Sequence, residues 1–248
     1  MSENGVTADR LLGGRVKILQ PDAGYRVSVD AILLAAAVRT GGGDTVLDVG
    51  CGDGGATLCL AWREPDVSIH GIDVRRDAVA RLRDGAAENG WQDRVSATRY
   101  DVGAGATRQM ANGYDAVMSN PPYLPAERMD LRGQMNDINP ALTETVPLAD
   151  WVAFMAACLR EGGGLTLVHR ADRLPDLLSA MRPHGGGITV YPIWPRVGEP
   201  ARRVIVSARK GSKAPSRILP GLVLHGPDGS FSDAAAAVLE DGRPLYPE

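Results

Sequence analysis

The sequence predicts an α/β fold, a single doubly wound domain whose seven strands are mostly parallel, with an antiparallel strand at one edge. Three observations carry this. Short apolar, β-like runs alternate with helical stretches from about residue 40 to 208, the pattern of a sheet covered on both faces. The first run ends in a glycine-rich turn at Gly50, Gly52 and Gly54. The last two runs are joined by a proline-containing loop too short for a helical crossover, so they pair antiparallel.

The β-like runs are Thr45–Val49, Val67–Ile72, Val95–Tyr100, Tyr114–Met118, Leu165–His169, Ile188–Ile193 and Arg203–Ser207. Helical stretches fall between most of them, at Ala56–Arg63, Arg76–Asn89, Ala149–Leu159 and Ala171–Met181. Triple glycines at 41–43, 162–164 and 185–187 punctuate the chain. Residues 1–39 form an N-terminal extension ending in a helix over Ala31–Arg39, which Ser28 or Asp30 can cap. Residues 40–208 form the core. Residues 209–248 form a basic tail, packed on the core or extending from it, with a short helix signal at Ser232–Glu240. The connection between Pro121 and Pro147 is long for a compact domain, and loops of that size are usually functional or disordered. Its segment 124–146 is expected to be mobile without substrate.

Composition narrows the setting. No run of eighteen apolar residues occurs, so no membrane partner is expected. The N-terminus lacks the basic-then-apolar order of a signal peptide. Cys51, Cys59 and Cys158 have no metal-like spacing and read as free thiols of a reducing cytoplasm, with no metal expected. The formal net charge is -3, yet between Arg196 and Arg217 seven basic residues face one acid, a local charge of +6. Such asymmetry suits a phosphate-bearing partner, although a solvated basic strand is an equally good reading. Oligomeric state is left open, with a monomer favoured.

The candidate chemistry gathers at strand ends. In "VLDVGCGDGG", Val46 to Gly55, the glycines let backbone approach a ligand and the next helix offers free N–H groups. The spacing departs from that of dinucleotide sites, and Asp53 stands where a pyrophosphate would want no negative charge; a cationic or zwitterionic cofactor is not disfavoured. Asp73 ends the second run about twenty residues on, where a carboxylate can accept from both hydroxyls of a ribose or cap the next helix. Asp101, after the third run, can accept from an adenine amino group or be an ordinary loop aspartate. The fourth run ends in Asn120-Pro121-Pro122-Tyr123. His70 and His169 read as packing residues, and Trp151 and Phe154 as core.

Together, Gly-x-Gly-x-Gly, the acids after strands two and three, and Asn-Pro-Pro-Tyr after strand four resemble the class I S-adenosylmethionine-dependent methyltransferases that modify a planar exocyclic nitrogen. The flanks "GYRVSVDAILLAAAV" and "RRVIVSARKGSKAPSRILPGLVLHGPDGSFSDAAAAVL" extend this to the bacterial tRNA(Val) adenine-37 N6-methyltransferase family, with a departure at Leu124, where that family commonly has an aromatic residue. The resemblance implies a Rossmann-like fold, S-adenosyl-L-methionine as cofactor, S-adenosyl-L-homocysteine as product and tRNA as partner. It implies that the Asn120 side-chain oxygen and the Pro121 carbonyl hold the amino group, that Pro122 stiffens the turn and that Tyr123 stacks on the base. Cofactor contacts are expected from Asp48, Gly50, Gly52, Gly54, Asp73, Val74, Asp101, Val102 and Asn120. Asp48 would reach the cofactor's ammonium or cap the glycine turn. Arg26 and Asp30 would cover the methionine end, or serve as a salt bridge and a helix cap. Arg209, Lys210 and Lys213 would contact phosphates. The motif also suits glutamine N5 of peptide release factors and guanine N2 of rRNA, since each target is a planar NH2, and a catalytically silent cofactor-binding scaffold is the reading from another class.

Overall fold

The computed structural model describes residues 5–23, 26–125 and 143–246. It opens on an antiparallel hairpin of Val6–Leu11 (β1) and Val16–Pro21 (β2), absent from the sequence reading. Its signal was the alternation Val16, Ile18, Gln20, all buried, beside a Gly13-Gly14 turn with φ of 60° and 94°. Gln20 ties the hairpin to the approach to the first helix: its Nε2 donates to Asp9 Oδ2 at 2.8 Å, and its Oε1 accepts from the Val27 N–H at 2.6 Å. That helix, α1, spans Val29–Ala37, two residues earlier than expected. Ser28 occupies its N-cap position without a capping bond, and Asp30 lies in the first turn, so neither caps the helix.

The core comes next as Thr45–Val49 (β3), Gly55–Arg63 (α2), Ser68–Asp73 (β4), Arg76–Glu88 (α3), Val95–Arg99 (β5) and Tyr114–Ser119 (β6). Leu124–Pro125 (β7) and Thr143–Glu144 (β8) form a short parallel pair; residues 126–142 of the connection expected to be mobile lie outside the described residues. Then come Leu148–Cys158 (α4), Leu159–Arg170 (β9), Leu174–Met181 (α5), Gly185–Trp194 (β10) and Arg203–Lys210 (β11). A 3-10 turn at Ala171–Arg173 replaces the start of the helix expected at Ala171, and Pro175 sits in the first turn of α5, where its missing N–H costs nothing.

The main sheet runs β12-β10-β11-β9-β6-β3-β4-β5. It has nine strands, not seven, because Arg217–Ile218 (β12) and Leu222–Val223 (β13) both add in parallel to β10. β11 lies antiparallel between β9 and β10, so the antiparallel strand is inserted two places in from the edge rather than at it. Two of the triple glycines, 162–164 and 185–187, lie inside β9 and β10 rather than between elements. There neighbouring backbone comes close: a β-carbon at Gly185 would lie 2.4 Å from the Arg209 carbonyl.

Helices cover both faces. α1, α2 and α3 pack on one, with Leu33, Leu58 and Leu82 fully buried, and α4 and α5 on the other through Met155 and Leu177. The tail joins the first layer: Asp233–Leu239 (α6) packs on α1, and the Leu245 N–H donates to the Ala36 carbonyl at 2.8 Å. Among the described residues no helix is long and apolar enough to cross a membrane.

The basic run is partly absorbed by this architecture. Lys210 Nζ donates to the Ala156 and Leu159 carbonyls at 2.8 and 2.6 Å and to Asn112 Oδ1 at 2.9 Å. Two of its three protons are thus spent on the C-terminus of α4, where a cation also meets the negative end of the helix dipole, and the third on Asn112. The phosphate contact expected of Lys210 is corrected accordingly. Lys210→Met should lower unfolding free energy by about 1–2 kcal/mol in denaturant titrations; a change of a few tenths would deny it this role.

Candidate active site

Strand order reverses between β3 and β6: the chain moves from β3 outward to β4 and β5, then returns to β6 on the other side of β3. At such a switch point the carboxyl ends of the strands open a crevice. Ser119 Oγ closes its floor by donating to the Val49 carbonyl at 2.7 Å, and itself accepts from Trp151 Nε1 at 3.0 Å. Above lies a cleft of about 350 Å3, lined from Asp48, the Gly50–Ala56 turn, Asp73–Arg75, Tyr100–Val102, Asn120–Tyr123 and Trp151, within the usual range of small-ligand sites.

The turn is glycine by necessity at two points. Gly50 and Gly54 have φ of 71° and 94°, and added β-carbons would meet the Trp151 ring at 3.0 Å and Leu82 Cδ1 at 2.4 Å. Trp151, which reads as core from sequence, is buried and is also a wall of the cleft.

Carboxylates ring the cavity. Asp48 is buried in β3, its Oδ2 accepting from Thr57 Oγ1 at 2.6 Å. Burial pushes its pKa up to about 7 against the pull of the Thr57 bond, with the Asp73 charge adding to the rise. Asp73 accepts from the Gly52 N–H at 2.9 Å through Oδ2, and from the Arg75 N–H and Nε at 2.9 and 3.2 Å through Oδ1. It is not the cap of α3, whose N-cap position is Arg75. Asp101 accepts from the Gly103 N–H at 2.9 Å, capping a short 3-10 turn with one oxygen. Asp53 is neutralised by Arg81 at 2.8 Å, so its charge does not select among ligands as the sequence suggested. Val102 is buried in the wall, while Val74 is 53% exposed at the cleft. Cys51 also lines the cleft, but burial and the Asp48 and Asp73 charges raise its thiol well above the ordinary range, so it is no nucleophile.

These residues fit a ligand with a cation at one end and a hydroxyl-rich, planar group at the other. Asp48 offers an underscreened acid for an ammonium, Asp73 an acceptor for hydroxyls, and Val74 and Val102 apolar surface for a ring.

At the mouth, the Tyr123 hydroxyl bonds Asn120 Oδ1 and lies 3.0 Å from Asp30 Oδ2. A phenol carries one proton and cannot serve both acceptors. With the Asn120 amide turned over, Nδ2 donates to the phenol, the phenol donates to Asp30, and the amide oxygen is released toward other partners. Arg203 Nε donates to Asp30 Oδ2 at 2.9 Å, and its guanidinium lies 5.0 Å from the Tyr123 ring centroid. One face of that ring is therefore taken, which restricts the stacking expected of Tyr123. His169 meets the same ring at 68°, with centroids 5.3 Å apart. Its Nδ1 accepts from the Arg170 N–H at 2.9 Å, which places the proton on Nε2; burial, then the Arg173 charge, lowers its pKa to about 4. His70 is a packing residue bonded to Tyr114 and Thr98.

Several expectations need correction. Arg26 does not line the cleft; it pairs with Asp9 on β1. Asp30 serves Arg203 and Tyr123 rather than a ligand's end. Arg209 pairs in register with Gly164 in the middle of β9, whereas Arg203 pairs with Arg170 at its end. Arg209 and the residues after it, Lys210 and Lys213, therefore sit at the opposite edge of the sheet, about 20 Å along β11 from the cleft. Arg203 and Arg75 are the site residues that sequence reasoning missed.

The model of the methyltransferase small domain matches residues 26–178. A tRNA1(Val) (adenine(37)-N6)-methyltransferase from Aeromonas hydrophila is 28% identical over 84% of this chain and 86% of its own length. One of the same name from Escherichia fergusonii is 27% identical over 87% and 86%. Among solved structures, a predicted O-methyltransferase from Agrobacterium tumefaciens superposes with a TM-score of 0.73 at 24% identity, over 88% of this chain and 98% of its own. A T. thermophilus 16S rRNA N2 methyltransferase in complex with AdoMet and guanosine gives 0.54 at 21% identity, over 83% and 50%. Both share the fold.

Asp48 supplies a test by pH. Its folded pKa of about 7 exceeds the unfolded value near 3.8, so the folded state holds the extra proton between those limits. Stability is highest below pH 4 on this account, falls through the interval and is flat above 7. Asp48→Asn keeps the acceptor for Thr57 and removes the titration. Relative to it, the wild type should lose up to about 4 kcal/mol between pH 4 and 7 in unfolding experiments; a difference constant with pH would refute the assignment.

Proposed function

The chain belongs to the methyltransferase small domain family, and on that premise we propose that it methylates the N6 amino group of an adenine in the anticodon loop of tRNA, using S-adenosyl-L-methionine. The observation that carries the proposal is the convergence of Asn120–Tyr123 on the same cleft as Asp48, the glycine turn and Asp73. Relatives of that activity, similar over most of their length, support the choice of base.

Bound in the cleft, the cofactor supplies an electrophilic methyl carbon on a sulfonium. Asp48 holds the ammonium of its methionine part, Asp73 the ribose hydroxyls, and Val74 and Val102 flank the adenine, with Asp101 accepting from its amino group. The substrate's own amino nitrogen is a poor nucleophile because its lone pair is delocalised into the ring. Asn120 Oδ1 and the Pro121 carbonyl accept its two N–H bonds and favour a pyramidal nitrogen aimed along the line of transfer. Pro121 and Pro122 hold those acceptors rigid. No base of shifted pKa is required, since the proton leaves after transfer. Asp30, tied to Arg203, accepts the hydrogen bond of the Tyr123 hydroxyl and so decides which way the Asn120 amide faces. The three buried free cysteines suit a reducing cytoplasm.

Incubation of unmodified tRNA with protein and cofactor should yield N6-methyladenosine by nucleoside mass spectrometry; N2-methylguanosine, or no methylated nucleoside, would overturn the proposal. Asn120→Ala should abolish transfer while leaving cofactor affinity within about twofold by calorimetry. Asp73→Ala should weaken cofactor binding by about 1–3 kcal/mol. Equal loss of both properties in Asn120→Ala would remove that residue from catalysis.

A further inference from the structure

A second cavity lies at the opposite edge of the sheet, by the amino ends of the parallel strands, with a volume of about 440 Å3. Its floor is a row of hydroxyls fixed by strand register. Thr166 pairs with Ser207, Ser207 with Thr189, and Thr189 with Arg217, across β9, β11, β10 and β12. Two residues along the same face, the corresponding row is Val168, Ile205 and Tyr191. The sheet thus changes from large, mainly apolar side chains to small hydroxyl-bearing ones within about 7 Å, although Thr166 and Thr189 are as buried as core residues. Thr189 Oγ1 already has a partner, donating to the Gly187 carbonyl at 3.3 Å, so the row is a preset polar floor rather than a set of unsatisfied groups.

Four guanidinium groups from separate parts of the chain line this cavity: Arg39, Arg160, Arg209 and Arg217. Each is held in place. Arg160 pairs with Asp115, Arg209 Nη1 donates to the Gly162 carbonyl at 3.0 Å, Arg217 Nε donates to Thr189 Oγ1 at 3.2 Å, and Arg39 stacks on Tyr246 at 5.1 Å. A guanidinium has five donors, so these bonds orient the groups without exhausting them. Asp44 and Asp115 are the acids of the lining, leaving two positive charges in excess. Thr40 Oγ1, also of the lining, is buried with no hydrogen-bond partner among the described residues. The cross-strand neighbour of Arg209 is Gly164, where an added β-carbon would meet nothing within 4 Å. Neither a positive φ nor close packing demands glycine there; its small size keeps the cavity open.

We propose that this cavity binds a phosphate group, held by Arg209 and Arg217 over the hydroxyl row. Oriented guanidinium forks with neutral hydroxyl donors match phosphate oxygens, and prior orientation lowers the cost of binding. The phosphate comes either from a small phosphorylated molecule or from an RNA backbone, and it is bound apart from the methyl-transfer cleft.

The test is calorimetric titration of the full chain with inorganic phosphate at low ionic strength. Saturable one-site binding is expected, reduced at least tenfold in Arg209→Ala/Arg217→Ala and in Gly164→Met, which fills the cavity and leaves every arginine in place. Asp73→Ala should bind phosphate as the wild type does. Without any substitution, phosphate should also shield Arg209 and Arg217 from phenylglyoxal, read by peptide mass spectrometry, while leaving exposed Arg182 reactive. Competition by unmodified tRNA for phosphate binding to the wild type identifies an RNA phosphate as the source; no competition identifies a small phosphorylated molecule. Absence of saturable binding and of shielding, or binding that survives in both cavity variants, would overturn the proposal.

Discussion

Because β4 and β6 lie on opposite sides of β3, the connections leaving β3 and β6 part company above the sheet, and a gap remains over the carboxyl ends of the two central strands. Loops from four strands lean into that gap, and each brings a polar group where it would otherwise be paired off with water. Ser119, between the Val49 carbonyl and the Trp151 indole, joins β3, β6 and α4 directly below it. Loss of this junction would affect the glycine turn, which rests on the same indole.

Four carboxylates, Asp30, Asp48, Asp53 and Asp73, are buried along this edge, and their partners explain how the fold tolerates them. Asp53 has Arg81, and Asp30 has Arg203. Asp73 has the Gly52 amide and Arg75. Asp48 has a neutral hydroxyl in place of a cation, so it bears the largest unrelieved desolvation among them. The acid that the fold stabilises least is the one best suited to a positively charged guest. Arg75 is 33% exposed at its side chain, so the Asp73 pair faces the cleft rather than the core.

The legible part of the sequence was the part written in short-range pattern. The seven principal strands, the helices between them and the acids at strand ends follow from alternation and from what glycine and proline can do. Long-range pairing left no such mark. Arg203 reaches Asp30 across 173 positions, and nothing local distinguishes it from Arg202 beside it. Lys210 looked like one more basic residue, and only the location of α4 reveals a helix cap. The triple glycines looked like breaks because glycine usually marks them; in β9 and β10 they lie within strands, and Gly163, Gly185 and Gly186 admit neighbouring backbone. The hairpin β1–β2 did carry a signal in its alternation and was overlooked.

The bond from Leu245 to Ala36, and the packing of α6 on α1, has a consequence for biosynthesis. Helix α1 holds Asp30, which orders the cleft mouth, yet α1 is covered by residues that follow the whole sheet in the chain. Its other partner, Arg203, also arrives after the central strands. On the ribosome, the strands through β6 can assemble while α1 still lacks both its lid and its counter-charge. The glycine turn and Asp73 can therefore be in place well before the mouth is, so the nascent chain would acquire its cofactor pocket first and its acceptor geometry only after β11 and α6 have been made.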